Sequence, residues 1–323
     1  MKKKISLFIV MLVTIALILI FSNIYIKGNV KPVVYIIVKV VNADYDFWES
    51  CRMGAETAAK EYNVELVFTG PNLQENVNKQ IELIKNAIKQ NPSAIIVAAS
   101  NHKELKETAE QVVKNKIHLI TLDSEIESQP EECYVGTDNI LAGKEIAEKL
   151  ASTIDEEGKI AVVSFVKESS TAIDREKGIE LALKKYKNIK VITTEYCNGS
   201  SKESYEITKK LLRDNKDLKG IIGTNQQSLE GIALAVEELK VQYTVAVMGF
   251  DTSNKLVKAL ENDIVDAFLV QKPYNMGYIS VKSAVDAINN KKVDKRVNID
   301  FEIVYKDTIY EKENEKLVFP FIE

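Results

Sequence analysis

The sequence predicts an α/β fold built as two similar units, each a mostly parallel sheet covered by helices. Three observations predict it. From residue 33 onward, apolar β-rich runs alternate with amphipathic helical patterns, and the alternation starts afresh after Tyr134-Val-Gly-Thr-Asp138. Two runs, Ile117-His-Leu-Ile-Thr-Leu-Asp123 and Val245-Ala-Val-Met-Gly-Phe-Asp251, are continuously apolar enough to be strands buried on both faces, and both end on aspartate. No low-complexity linker separates the two cycles, so several chain crossings must join them.

In the first cycle, residues 33–41 form a strand, followed by a helix over 47–62. Phe47, Cys51, Ala55, Ala58, Ala59 and Tyr62 recur at three- and four-residue steps and give that helix one buried stripe. A strand over 64–68 closes at the turn Gly70-Pro71-Asn72. The helix over 74–90 carries Val77, Ile81, Ile84 and Ile88 on one face; strand 94–99, helix 103–115 and strand 117–122 follow. The second cycle places helices at 139–152, 171–186, 202–214 and 226–239, and strands at 160–165, 189–194, 220–224 and 244–250. It continues with strand 266–270, a long helix over 273–290 with proline in its first turn, a polar loop over 289–296 and a last strand over 297–305. Right-handed crossovers and parallel sheets follow from this alternation.

Composition removes several function classes. The 323 residues carry a net charge of -4 with 28% charged residues of mixed sign, and no basic stripe follows the N-terminal lysines, so nucleic acid is not an expected partner. Cys51, Cys133 and Cys197 lie far apart, and only His102 and His118 are present, so neither a metal site, a disulfide framework nor any cofactor is expected. Asn198-Gly-Ser200 fits a glycosylation sequon, a pattern that often arises by chance. Nucleotide-binding, nucleophile-elbow and zinc-protease motifs are all lacking, and glycine is sparse at 13. The sequence points to binding, not to an enzyme.

Residues 1–31 differ from the rest. Met1-Lys-Lys-Lys4 precedes an uncharged apolar run over 5–21, extended by 24–26 to about the length a bilayer core requires. No small-x-small cleavage site follows, and no cysteine stands there to accept a lipid. An uncleaved membrane anchor over 5–26 is favoured over a cleaved signal, with the lysines holding the N-terminus inside and the remainder outside the cell membrane.

An apolar strand that ends on a carboxylate places that group where open α/β sheets bind ligands. The plainer alternative is that Asp123 and Asp251 each cap the next helix. Their context favours the first. The pair Phe47-Trp48 opens the first helix, and Ile120-Thr-Leu-Asp123, Gly136-Thr-Asp-Asn139, Asp174-Arg-Glu-Lys-Gly178, Gly223-Thr-Asn225, Met248-Gly-Phe-Asp251 and Leu269-Val-Gln271 follow in order. With these seven marks the chain resembles, from about residue 33 to 304, the periplasmic sugar-binding proteins of the ribose/galactose/xylose type. Their fold is type I (LacI-like). It is most like their membrane-anchored xylose-sensing members, which partner sensor histidine kinases.

The resemblance implies two Rossmann-like lobes joined by a three-stranded hinge, preceded by the N-terminal transmembrane helix. One lobe would comprise residues 32–137 plus 272–299, the other 138–271 plus 300–323. It further implies that Phe47 and Trp48 stack on the apolar faces of a sugar ring. Asp123, Asn225 and Asp251 would bond sugar hydroxyls, Arg175 would donate through its planar fork, and the Gln271 amide would both donate and accept. Asn139 is either a site residue or, the favoured reading, the cap of the helix after the first hinge crossing. Ser124 stands where ribose binders carry arginine, and the segment before Phe47 departs from the usual asparagine-proline, leaving Tyr45 and Asp46 as possible ligand residues. Tyr196 is the candidate for a second stacking aromatic. The implied ligand is a small sugar, an aldopentose such as D-xylose first. Two roles follow: signalling to the outer domain of a sensor histidine kinase, favoured by the anchor, or delivery to the permease of an ABC importer.

Overall fold

One segment near the C-terminus fixes how the two halves face each other. Strand β11 (Arg296–Asn298) runs parallel to β5 (Cys133–Gly136) in one sheet. After Ile299–Phe301 the chain enters the other sheet as β12 (Glu302–Tyr305), antiparallel to β10 (Ala267–Val270). A chain that leaves one sheet at the carboxyl ends of its strands and enters the next against strand direction must connect two carboxyl edges. The carboxyl ends of both sheets therefore point at a common cleft. The sequence pattern had run these two strands together as 297–305. The split arises because Ile299 donates its N–H to the Gly136 carbonyl at 2.8 Å and Asp300–Phe301 carry no ladder.

The computed structural model describes residues 14, 31–41, 46–73 and 76–319. The first sheet has the order β11-β5-β4-β3-β1-β2, with β1 (Val33–Ile37), β2 (Glu65–Thr69), β3 (Ala94–Val97) and β4 (His118–Leu122). The second repeats that order as β12-β10-β9-β8-β6-β7, with β6 (Glu157–Ser164), β7 (Asn188–Tyr196), β8 (Leu218–Gly223) and β9 (Ala246–Phe250). All pairings except β10–β12 are parallel. A strand order that reverses about the first strand of each sheet opens a crevice at the carboxyl ends there.

Each sheet is covered on both faces, as the unbroken apolar runs required. In the first lobe, Ile36 and Ile96 pack under α1 (Asp46–Glu61) and α9 (Pro273–Ile288). Their strand neighbours Ile37, Ile95 and Val97 pack on the opposite face under α2 (Val77–Lys89) and α3 (Lys106–Lys114). In the second lobe, Val163, Ile221 and Val247 face α6 (Ser201–Asp214), α7 (Gln226–Leu239) and α8 (Asn254–Glu261). Val162, Ile222 and Met248 face α4 (Asn139–Thr153) and α5 (Ser170–Leu183). Each such fully buried side chain contributes about 1.5–3 kcal/mol relative to exposure. The short α10 (Lys312–Val318) adds Val318 to the second lobe.

Helix α9 belongs by packing to the first lobe although β10, immediately before it, belongs to the second. It lies directly against α1. A Cβ on Gly277 would stand 2.0 Å from the Cys51 carbonyl oxygen, and one on Gly54 would stand 1.9 Å from that of Tyr274. Only hydrogen at both positions lets the two helices approach this closely. The chain thus crosses between lobes three times, at Thr137–Asp138, Gln271–Lys272 and Ile299–Phe301. Among the described residues no helix is long and apolar enough to cross a membrane. Of residues 5–26 only Thr14 is described, so the expected anchor lies outside the described residues.

Candidate functional site

Both strand-end aspartates adopt the left-handed backbone conformation, Asp123 at φ 61 and Asp251 at φ 69. Such a conformation costs a non-glycine residue roughly 1–2 kcal/mol and, among residues with side chains, is tolerated best by asparagine and aspartate. It persists because the backbone is held: Asp123 N donates to Val135 O at 2.8 Å and Asp251 N to Leu269 O at 2.7 Å. The same turn in both lobes swings each carboxylate off its strand end and into the cleft. Neither residue caps the helix that follows it in sequence. Ser253 caps α8 and Asp138 caps α4, their side chains accepting from Leu256 N and Leu141 N.

Around these carboxylates the lobes enclose a cavity of about 40 Å³ lined by Phe47, Trp48, Asp123, Arg175, Asn225, Asp251 and Gln271. All seven residues singled out from the sequence therefore meet in one place. A neighbouring cavity of about 270 Å³ toward the second hinge crossing shares Phe47, Asp251 and Gln271 with it. Phe47 and Trp48 meet edge to face, ring centroids 4.9 Å apart. Trp48, Asp123, Arg175 and Gln271 are all at most 6% exposed, so a ligand reaches them only when the lobes part.

The sequence reading did not include Lys39, which lies at the centre of the site. Its ammonium, 3% exposed, pairs with Asp123 Oδ2 at 2.8 Å and donates across the cleft to Ser169 Oγ at 3.2 Å and Thr171 Oγ1 at 3.0 Å. All three N–H bonds are used. Burial pushes the Lys39 ammonium below its ordinary pKa, and the Asp123 carboxylate opposes that shift. The signal in the sequence was one charge inside an otherwise apolar strand run, 33–41. Phe165, Thr171, Gln226 and Gln227 also line the cavity and were not foreseen.

Arg175 is 2% exposed. Its Nε donates to Asn139 Oδ1 at 2.9 Å and its Nη1 to Thr224 O at 2.7 Å, while the guanidinium lies 4.2 Å from the Phe250 ring centroid. Asn139 is thus not the helix cap but a buried support for Arg175, its Nδ2 donating to Thr137 O at 3.2 Å. Asp251 accepts from Gln271 Nε2 at 2.7 Å and from Gln226 N at 3.2 Å. Desolvation raises the Asp251 pKa, and Arg175 and Gln271 pull it back. Among the described residues two cations, Lys39 and Arg175, and two carboxylates, Asp123 and Asp251, balance in this cleft, which suits an uncharged polyol.

A domain model described as a periplasmic binding protein domain matches residues 34–292. The chain belongs to the periplasmic binding protein family. Its relatives in that family include the D-allose-binding periplasmic protein of Escherichia coli (strain K12), 25% identical over 256 residues, covering 76% of this chain and 82% of the relative. Among solved structures, a carbohydrate transporter solute binding protein from Agrobacterium radiobacter, in complex with D-arabinose, is similar at 27% identity. It superposes with a TM-score of 0.86 over 90% of this chain and 99% of that one. A sugar transporter from Clostridium phytofermentans is 32% identical with a TM-score of 0.80, over 86% and 100% of the two chains. The two-lobed periplasmic binding fold expected from the sequence is thereby shown.

Three further candidates remain, Tyr196, Tyr45 and Asp46. Tyr196, expected as a second stacking aromatic, is instead turned to the outer side of the second lobe. Its hydroxyl donates to Glu176 at 2.9 Å, and Glu176 in turn accepts from Ser164 Oγ. Tyr196 is half-buried, ends the edge strand β7 and is held against α5 by that bond to Glu176. Tyr45 and the side chain of Asp46 lie outside the described residues. Asn225 lines the cavity, yet its amide is already engaged as the α7 cap, accepting from Ser228 N at 2.9 Å and donating to Gln227 Oε1 at 3.0 Å.

Proposed function

We propose that this chain binds one neutral monosaccharide outside the cytoplasm, as the binding subunit of an ABC-type sugar importer. The observation that carries the sugar reading is the balanced cleft, in which Lys39, Asp123, Arg175, Asp251 and Gln271 offer donors and acceptors beside the Phe47–Trp48 ring pair. The import reading rests on the relatives, two of which are named as transporter components. In this reading the lobes, residues 32–137 plus 272–299 and 138–271 plus 300–323, part to admit the sugar and close over it. An aldopentose such as D-xylose heads the expected ligands. Closure follows from the divided site: a ligand that touches both lobes binds the closed form better, and that difference alone drives the equilibrium.

Trp48 is the single tryptophan of the chain, so its fluorescence reports on the cleft. Full-length protein is titrated with D-xylose, D-ribose, D-arabinose, D-allose and D-galactose, with calorimetry in parallel. Saturable Trp48 emission changes for at least one sugar are expected, absent in Trp48→Phe while the binding heat persists. No heat and no emission change with any sugar at millimolar concentration refutes the proposal. The kinase-sensor reading drawn from residues 1–31 competes for the partner only. Sugar-dependent stimulation of a reconstituted permease ATPase supports import, and sugar-dependent binding to a kinase outer domain with no such stimulation overturns it.

A further inference from the structure

The first hinge crossing carries a side chain that faces no ligand yet touches the groups that would. Thr137, 1% exposed, sits between β5 and α4 and donates its hydroxyl to Gln271 Oε1 at 2.8 Å, across to the second crossing. Gln271, 3% exposed, passes the bond on, Nε2 to Asp251 Oδ1 at 2.7 Å. The other Asp251 oxygen accepts from Gln226 N at 3.2 Å. Thr137 is itself a fixed point, its carbonyl accepting from Asn139 Nδ2 and from the Tyr134 hydroxyl, each at 3.2 Å. Its neighbour Gly136 is tied to the third crossing through Ile299 N at 2.8 Å.

The last torsion of a glutamine side chain is soft, so packing alone does not set the plane of its amide. Two hydrogen bonds at opposite ends do. With Oε1 held by Thr137 and one N–H held by Asp251, Gln271 keeps a single N–H and one oxygen lone pair in a defined direction. We propose that Thr137 is a positioning residue of the binding site. Its hydroxyl fixes the Gln271 amide from the hinge and, through it, the Asp251 carboxylate. Without that hydroxyl, Oε1 becomes a buried acceptor lacking its donor, and the amide turns to find another, taking its bond to Asp251 out of line. This inference rests on the sugar-binding reading for its consequence, though not for its geometry.

The test uses the full-length protein and the sugar it binds best. Thr137→Val keeps the side-chain shape and removes the donor. Affinity should fall about tenfold, the size of one buried hydrogen bond left half made. Thr137→Ser, which keeps the hydroxyl, should stay within about twofold of the parent. In a Gln271→Ala background Thr137→Val should cost nothing more, since its route to the ligand is gone. Undiminished affinity in Thr137→Val, or a loss that adds in full to that of Gln271→Ala, overturns the proposal. A second readout needs no sugar. In protein labelled with ¹⁵N-glutamine, the Gln271 side-chain amide signals, assigned by their loss in Gln271→Ala, should shift and broaden in Thr137→Val and return in Thr137→Ser. Unmoved signals overturn the positioning role. Moved signals in a protein that binds no sugar support it and fault only the sugar reading. Should Thr137→Val fail to fold, Thr137→Ala gives the same two readouts.

Discussion

Replacing Lys39 by methionine removes one charge from a buried pair while keeping an unbranched stem of similar length. The side chains of Lys39 and Asp123 are 4% and 7% exposed, and their atoms are 2.8 Å apart. Breaking such a pair strands a carboxylate in a site with little water, at a cost of about 3–5 kcal/mol. For a lobe of this size each kcal/mol lowers the melting temperature by roughly 2–4 °C, so Lys39→Met should melt about 6–20 °C below the parent. Asp123→Asn leaves the ammonium stranded instead and should lose a comparable amount. The two losses should not add, because the double variant Lys39→Met/Asp123→Asn holds no stranded charge. Ser169 Oγ and Thr171 Oγ1 also remain bonded to each other at 2.8 Å without the lysine. The double variant is expected to be more stable than either single one. Thermal unfolding of the four sugar-free proteins, followed by circular dichroism, completes the cycle. Single variants within about 0.5 kcal/mol of the parent, or a double variant equal to their sum, would refute the view of Lys39–Asp123 as a desolvated, mutually dependent pair.

Three other outcomes are expected. Arg175→Ala should weaken sugar binding 30- to 1,000-fold, on the order of 2–4 kcal/mol, since Asn139 Oδ1 and Thr224 O lose their donor and Asp251 its cation; calorimetry measures it. Glu131 is 4% exposed, and desolvation raises its pKa against the smaller pull of hydrogen bonds from its own backbone and from Thr121. The folded state therefore keeps a proton that the unfolded state releases, so stability falls as pH rises from the ordinary carboxylate range through the raised value. Glu131→Gln should flatten that fall, and a series of denaturant melts stepped upward from the ordinary carboxylate range tests it. Gly277→Ala forces a methyl group to within 2.0 Å of the Cys51 carbonyl. It should cost about 3 kcal/mol, the upper end for overpacking, and weaken sugar binding too because α1 carries Phe47 and Trp48.

The sequence by itself determined the architecture and, through the resemblance its motifs carry, seven of the residues that line the cleft. Strand–helix alternation and unbroken apolar runs reach the doubled parallel sheet because hydrophobic periodicity is local and both faces of each sheet need cover. The seven motifs carried a resemblance, and that resemblance named seven residues that the fold brings together. What tertiary structure alone decided is how those residues are held and with whom. Lys39 looks like an interruption in a strand until β1 and β4 stand two strands apart, with Asp123 swung back by its left-handed turn. Tyr196 looks like a stacker until β7 proves to be an edge strand. The single run 297–305 becomes two strands because the lobes face each other by their carboxyl ends, a relation no local pattern encodes. Thr137 reads as a hinge step and becomes a support for Gln271 only when crossings 134 residues apart lie side by side; Asn139 reads as a helix cap and becomes a support for Arg175 only when α4 packs on α5. Hydrogen-bond partners of buried polar groups are long-range by nature: each is chosen by which strands end nearby, and the fold makes that choice.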